Sequence, residues 1–215
     1  MVKAALVKDN TRSVQIAAPN LQTAEFKLIG TSPFVQLRFS QKAMNAMMDK
    51  MKAGPAAKGK KVREARDFND DFEQAKHKST EGWCGIPAGA FRAAMISACR
   101  LVGFKMTLAK LSVFIEADGI DAVDGVPLVK IEGTPEVNVM AVRNQTGVAD
   151  IRARPMWKEW SVVLRVRFDA DQFSLEDISN LLSRVGQQVG LGEGRNDSRE
   201  SAGLGWGCFR LGEKE

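Results

Sequence analysis

Apolar and polar residues alternate along much of the chain in the two-residue pattern of β-strands. The segment from Ala24 to Ser40 is rich in strand-forming residues, and Thr31-Ser32-Pro33 interrupts it, so we predict two strands joined by a bend. The same pattern predicts strands at LSVFIEA (111–117), PLVKIEG (127–133), EVNVMAV (136–142), WSVVLRVRFD (160–169) and, last, GWGCFRL (205–211).

Three segments instead carry the three- and four-residue spacing of amphipathic helices. The first, Gln41 to Ala53, has a stripe of four methionines, which we interpret as core filler, although flexible methionine faces also serve as adaptable binding surfaces. The second opens at Ile86-Pro87 and ends at Gly103. The third begins at Ser174, where Asp177 completes a capping box.

The order of these elements predicts the fold class. Strand, helix, strand, strand, helix, strand is the ferredoxin-like order, so we predict an α+β, RRM-like antiparallel sheet with two helices. We expect residues 1–215 to form a single domain. Residues 41–85 are interpreted as an insertion, a helix followed by a flexible basic finger at GPAAKGKK.

Composition narrows the cellular context. The 215 residues are 44% hydrophobic but contain no apolar run of membrane-spanning length, and the N-terminus lacks the apolar core of a signal peptide. The three cysteines are widely spaced, which argues against a disulfide framework and against a zinc site. We therefore expect a cytoplasmic protein with no membrane partner.

Charge points to a polyanionic partner. The net charge is +5, but residues 38–66 hold nine basic residues against two acids, and residues 152–167 hold five against one. We therefore predict a nucleic-acid binder that contacts phosphates, with Trp83, Trp157 or Trp160 as candidates for stacking on bases. The basic residues predicted to contact the strand, on the finger and beyond it, are Lys58, Lys60, Lys61, Arg63, Arg92, Arg165 and Arg167.

A glycine-rich stretch follows the last predicted helix. Glycine tolerates positive φ and lets backbone N–H groups approach an anion, so Gly192 and Gly194, with the charge of Arg195, are predicted to grip phosphate. Valine at either glycine is expected to block phosphate while the protein still folds. The alternative is a long flexible connection between helix and strand.

Catalytic patterns are absent. His77 is the only histidine, so a histidine triad or a multi-histidine metal centre cannot form within one chain. GLGEGR (190–195) lacks the ending of a P-loop. Asp118, Asp121 and Asp124 are compatible with a divalent ion, but their Asp- and Gly-rich sequence is typical of a solvated turn. We predict no catalytic residues, metal or cofactor.

Three segments, in this order, resemble the RAMP superfamily of CRISPR-associated proteins, especially the backbone subunits that polymerise along guide RNA. FKLIGTSPFVQLRF (26–39) resembles the family's opening strand and bend. GIPAGAFRAAMISACRLVG (85–103) is similar to its I-P-x-S-x-x-[KR]-G-x-x-R helix start. VGLGEGRNDSRESAGLGWGCFRL (189–211) resembles its glycine-rich loop and last strand.

The sequence also departs from this family. The serine after Ile-Pro is replaced by Ala88-Gly89-Ala90, although Arg92 stands where a basic residue is expected. RNA-cleaving members carry a histidine or aspartate near the first strand, and Thr31 to Met48 contains neither. The resemblance thus implies a non-catalytic homo-oligomer that coats RNA or single-stranded DNA. Solitary proteins of this general kind also occur in phages and mobile elements, with roles in recombination, packaging or defence evasion. Two alternatives stay open: a metal-dependent nuclease, and a subunit mimic that joins a CRISPR-type complex.

Overall fold

The computed structural model describes residues 16–53, 66–143, 149–198 and 203–213. In these ranges it has five α-helices and three antiparallel sheets, which confirms the predicted mixture of α and β structure. The predicted finger residues Lys58, Lys60, Lys61 and Arg63 lie outside the described residues. None of the described helices is both long enough and apolar enough to cross a membrane.

The strands and helices follow one another along the chain in mixed order. The strands are β1 (Leu21–Gly30), β2 (Phe34–Val35), β3 (Gly85–Pro87), β4 (Val113–Glu116), β5 (Gly119–Ile120), β6 (Pro127–Lys130), β7 (Glu136–Arg143), β8 (Ala149–Trp157), β9 (Ser161–Asp169) and β10 (Phe209–Leu211). The α-helices are α1 (Gln41–Ala53), α2 (Phe68–Gln74), α3 (Ala88–Ala98), α4 (Met106–Ser112) and α5 (Leu175–Arg184). A 3-10 turn, Cys99–Val102, follows α3, and a π-helical turn, Val185–Val189, follows α5.

The largest sheet has four strands in the order β10-β1-β9-β4, and each neighbouring pair is antiparallel. In the chain, α3 lies between β1 and β4, and α5 lies between β9 and β10. The core forms where these helices cover one face of the sheet. Its fully buried members include Leu28, Leu164 and Val166 from the strands and Met95 and Ile178 from the helices. Burial of these apolar side chains is the main stabilising term.

Two smaller sheets, β2-β8-β7 and β3-β6-β5, extend this core. The alternation pattern missed β8, because Arg152, Arg154 and Pro155 interrupt the apolar positions that would mark a strand. It also missed α2, which Asp67 caps by accepting hydrogen bonds from the N–H groups of Asn69 and Asp70.

Several predicted boundaries shift for identifiable reasons. The helix expected to open at Ile86-Pro87 begins at Ala88, because Gly85–Pro87 form β3 and pair with β6. Gly103, at a φ of 68°, ends that segment as predicted. Leu111 and Ser112 belong to α4, so the following strand starts later than predicted. The capping box of α5 is confirmed.

The methionine stripe of α1 is exposed, so its interpretation as core filler is wrong. Its four side chains, Met44, Met47, Met48 and Met51, all lie largely in solvent. No other described helix or strand packs extensively along α1. The amphipathic pattern was read correctly as a helix, but the pattern alone does not say what covers its apolar face.

The glycine-rich loop, whose described residues are 190–198 and 203–207, is hydrogen-bonded to the bend between β1 and β2. The N–H of Gly207 donates to the carbonyl of Pro33 at 2.7 Å, and the carbonyl of Gly207 accepts from the N–H of Leu191 at 3.0 Å. A Cβ at Gly207 would lie 1.9 Å from the carbonyl oxygen of Leu191. This position therefore admits only glycine.

Replacement of Gly207 by alanine should lower the free energy of unfolding by more than about 3 kcal/mol, because both a positive φ and a backbone clash oppose the new side chain. Gly205 is the matched control, since it has a similar φ of 73° but open space around its Cβ position. Gly205→Ala should cost only about 1 kcal/mol. Equal losses in urea denaturation would contradict the close approach at Gly207.

Candidate nucleic-acid interface

A groove of about 940 Å³ runs between α3 and the glycine-rich loop. The α3 wall is made of small residues, including Ala90, Ala93 and Ser97, and the opposite wall is the backbone of the loop. Leu37 after β2 lies at one margin. Small side chains on one wall and glycines on the other leave room for a ligand that contacts the backbone.

Side chains at the end of α3 and in the 3-10 turn that follows it hold the loop at this distance. The carboxylate of Asp197 accepts hydrogen bonds from the hydroxyl of Ser97 and, at 2.8 Å, from Arg100. The Ser97 hydroxyl lowers the pKa of Asp197 most, burial opposes this, and Arg100 lowers it further. The N–H of Asp197 also donates to the carbonyl of Val189 at 3.0 Å. These bonds hold the residues around Asp197 in one position relative to α3, as a loose connection would not.

Two backbone donors of this wall have no partner within the described part of the chain, the N–H groups of Gly192 and Gly194. The intervening N–H of Glu193 donates to the carbonyl of Val35 at 2.9 Å, and a turn at residues 193–194 directs the N–H of Arg195 toward the carbonyl of Gly192. Gly192 and Gly194 both have a φ of 75°. Alternation of positive and negative φ is the backbone pattern of an anion-binding nest, but the middle N–H, that of Glu193, is already bonded to the carbonyl of Val35. A phosphate contact would therefore fall to the N–H groups on either side of it.

The acids of the groove are already paired. Glu193 accepts from Arg154 at 3.0 Å, and Asp197 is held by Arg100. In contrast, the exposed side chains of Lys110 and Arg195 form no ion pair with any described residue. Since pairing neutralises the carboxylates, Lys110 and Arg195 dominate the charge at the groove.

The structure brings three predicted site residues to this groove and leaves three elsewhere. Gly192, Gly194 and Arg195 line it. Arg92 is bonded to the protein instead: its Nε donates to the carbonyl of Val113 at 2.8 Å and a terminal nitrogen donates to that of Lys110. These bonds join α3 to the end of α4 and the start of β4.

β9 carries two of the predicted strand contacts, Arg165 and Arg167, but the sheet face around them is not uniformly basic. Arg165 is paired in register with Glu25 on β1 and Glu116 on β4, and its guanidinium donates to Asp118 at 2.6 Å. Arg167 lies over the ring of Phe114 at 5.4 Å. Because acids alternate with the arginines across the strands, this open face of the sheet carries mixed charge and attracts phosphate less than a basic face would.

Gly192 and Gly194 are glycines because of packing as well as φ. A Cβ at Gly192 would lie 2.4 Å from the carbonyl oxygen of Val35, and one at Gly194 would lie 2.6 Å from the ring of Trp206. Both would point into the protein. The expectation that valine here blocks phosphate and spares folding is therefore wrong, and binding is better tested at Arg195.

The candidate tryptophans are mostly structural. Trp157 is fully buried, and Trp160 is buried with its Nε1 donating to the carbonyl of Ser32 at 2.9 Å. Neither offers a ring to a base. Trp83 is half-buried and donates to Glu81 at 3.0 Å. None of the three lines the groove.

A largely buried ionic cluster, which no sequence pattern predicts, lies beside the groove. His77 Nδ1 is 2.8 Å from Asp121 Oδ2, and Arg38 lies 3.6 Å from Asp121 and 3.5 Å from Asp124. His77 and Asp121 are 44 positions apart in the chain, so no local spacing could join them. Asp118 belongs elsewhere, since it accepts from the N–H of Lys130.

The ligand atoms of His77, Asp121 and Asp124 lie within 4.8 Å of one another, which is a spacing that a metal ion can bridge. The guanidinium of Arg38 already places a positive charge against both carboxylates. A second cation would be repelled by it, so the arrangement fits a structural ion network better than a metal centre.

The cluster holds Asp121 in its charged form. Burial by itself raises the pKa of this carboxyl, but the N–H of Val123, the His77 ring and Arg38 together bring the pKa below its ordinary value. The partners thus compensate the cost of burying the charge.

No protein-family model matches this sequence, and no curated protein matches it.

Replacement of Asp121 by asparagine should lower the free energy of unfolding at pH 7 by about 3 kcal/mol, because Arg38 would lose its buried counter-charge. Asp124→Asn, at a partly exposed carboxylate, should cost about 1 kcal/mol or less. The advantage of the parent over the Asp121 variant should persist above pH of about 4 and disappear as the pH falls through the lowered pKa of Asp121. Chemical denaturation across pH measures this, and a difference that grows toward low pH would contradict it.

Proposed function

We propose that this protein binds single-stranded nucleic acid, RNA or DNA, in the groove between α3 and the glycine-rich loop, without cleaving it. The observation that carries the proposal is the pair of N–H groups at Gly192 and Gly194 without a partner among the described residues, in a groove that the basic side chains of Arg195 and Lys110 also line. Backbone donors and basic side chains together are the usual partners of phosphate.

A single strand suits the groove better than a duplex. The apolar surfaces of Leu37, Pro87 and Ala93 line the same space as the phosphate-binding groups. Only a single strand presents unstacked bases to such a surface while its phosphates reach the donors. Because the polar contacts are to phosphate, the expected binding is largely indifferent to sequence and weakened by salt.

A ferredoxin-like assignment of the large sheet is consistent with this proposal, and the binding site does not depend on it. In the four-stranded sheet, the order β10-β1-β9-β4 with α3 and α5 as crossovers is the order expected for a ferredoxin-like domain. We propose that this sheet is the RAMP-like core. The smaller sheets and α1 are additions to it, and the basic finger, which lies outside the described residues, stays a predicted contact to the strand.

In this proposal the protein covers the strand as a homo-oligomer, like the backbone subunits that the sequence resembles. Of the alternatives, the metal-dependent nuclease is disfavoured. Among the described residues, one cluster has the spacing of metal ligands, and in it the positive charge of Arg38 already lies beside the carboxylates. The subunit mimic would bind the protein subunits of a CRISPR-type complex instead of nucleic acid. A protein that purifies with other subunits and without nucleic acid would favour it.

Arg195→Ala should weaken binding of a short oligonucleotide by about 1 to 3 kcal/mol and reduce the salt slope by roughly one contact. Arg210→Ala is the matched control, because Arg210 is also exposed but lies on β10, away from the groove. Fluorescence anisotropy at several salt concentrations measures both. Equal affinities for the parent and the Arg195 variant would remove the loop from the binding path.

Oligonucleotides incubated with the protein and magnesium or manganese should remain intact, because the proposed groove provides phosphate contacts but no metal centre. Gel electrophoresis of labelled strands checks this. Metal-dependent cleavage that is lost in a folded Asp124→Ala variant would overturn the non-catalytic proposal and favour the nuclease.

A further inference from the structure

The apolar face of α1 has no partner within the described chain. Met51, at its C-terminal end, is 79% exposed, and no described helix or strand packs extensively along α1. A helix of 13 residues is marginal by itself in water, and an amphipathic helix normally buries its apolar face. The exposed methionines therefore mark a contact surface.

A second cavity, of about 240 Å³, lies between the 3-10 turn Cys99–Val102 and α5. Its walls are largely apolar and include Val102, Leu181 and the adjacent rings of Phe104 and Phe173, whose centroids are 4.7 Å apart. Methionine is unbranched and flexible, so it fills small irregular apolar cavities well. This cavity is separate from the groove.

The charges beside the two surfaces are complementary. The last turn of α1 carries Lys50 and Lys52, next to Met51. The first turn of α5 carries Glu176 and Asp177, of which Asp177 lines the cavity, and the carboxylate of Glu176 has no partner among the described residues. Arg184 also lines the cavity and donates to Gln188 at 3.3 Å, so the two acids outnumber the one arginine on this side of the contact. Opposite charges at the rim of an apolar contact favour the correct pairing.

We propose that α1 of one copy docks onto the cavity beside α5 of the next copy, with Met51 as its anchor. Both halves of the contact belong to the same chain but lie on different elements, so the contact is head-to-tail and can repeat without closing. Such an assembly is what a protein that covers a strand requires, and in that respect the inference deepens the proposed function. The contact itself needs no nucleic acid.

The test uses two variants that each disable one half of the contact, in protein freed of nucleic acid. Met51→Glu alters the helix, and Val102→Glu alters the cavity, at a residue that is 51% exposed. Each variant alone should sediment as a monomer, while the parent forms concentration-dependent oligomers. Mixed, the two should form a one-to-one dimer and nothing larger, because only one intact pair of surfaces remains.

Two controls distinguish this contact from non-specific hydrophobic association. Leu111→Glu changes an equally exposed apolar residue, 75% exposed, outside both surfaces and should assemble like the parent. Should Val102→Glu fail to fold, Asn180→Trp fills the same cavity from α5 and serves in its place. A mixture that stays monomeric, or a cavity variant that still assembles alone, would overturn the proposed contact.

Strand binding distinguishes failure of this inference from failure of the proposed function. Met51→Glu should bind an oligonucleotide long enough for one protein with the affinity of the parent, since Met51 does not line the groove. On long strands its binding should lose cooperativity and weaken by about tenfold or more. Loss of assembly with intact short-strand binding in Met51→Glu and Val102→Glu is the expected result, and parent-like cooperativity in Met51→Glu would contradict it.

Discussion

The close approach of the glycine-rich loop to β2 is the constraint on which the proposed site depends. At Gly192 the loop comes so near to the carbonyl of Val35 that no side chain fits between them, and at Gly207 it touches its own backbone at Leu191. These contacts use the N–H groups of Glu193 and Gly207 for the fold. The N–H groups left over, at neighbouring positions, are the ones available to a ligand, so the same packing that stabilises the loop also creates its donors.

Electrostatics decides which surface of the protein attracts phosphate. On the open face of the large sheet, arginines alternate with acids, as where Arg165 lies between Glu25 and Glu116. At the groove the carboxylates are each bonded to an arginine, which leaves other basic side chains without a counter-charge. The sheet face and the groove thus differ in where their basic residues lie relative to acids, and not in how many they have. The modest net charge of +5 does not reveal this difference in local charge.

Features that depend only on residues close together in the chain were predicted well from the sequence. The capping box at Ser174 and the helical spacing of Gln41 to Ala53 require only neighbouring residues, and both were predicted from the sequence. Burial and pairing depend on distant parts of the chain. The spacing of the α1 methionines could not reveal that nothing covers them, and the sequence around Arg92 could not reveal its bonds to Val113. The His77–Asp121 pair joins two segments that no motif connects.

The central claim is that phosphate binds to the backbone of the glycine-rich loop, and amide NMR tests it most directly. Titration of a short oligonucleotide into labelled protein should move the N–H resonances of Gly192, Gly194 and Arg195 first and furthest. Resonances of the open sheet face around Arg165 and Arg167 should stay nearly unchanged. The opposite pattern, with shifts across β9 and none in the loop, would contradict the account and place the strand on the sheet.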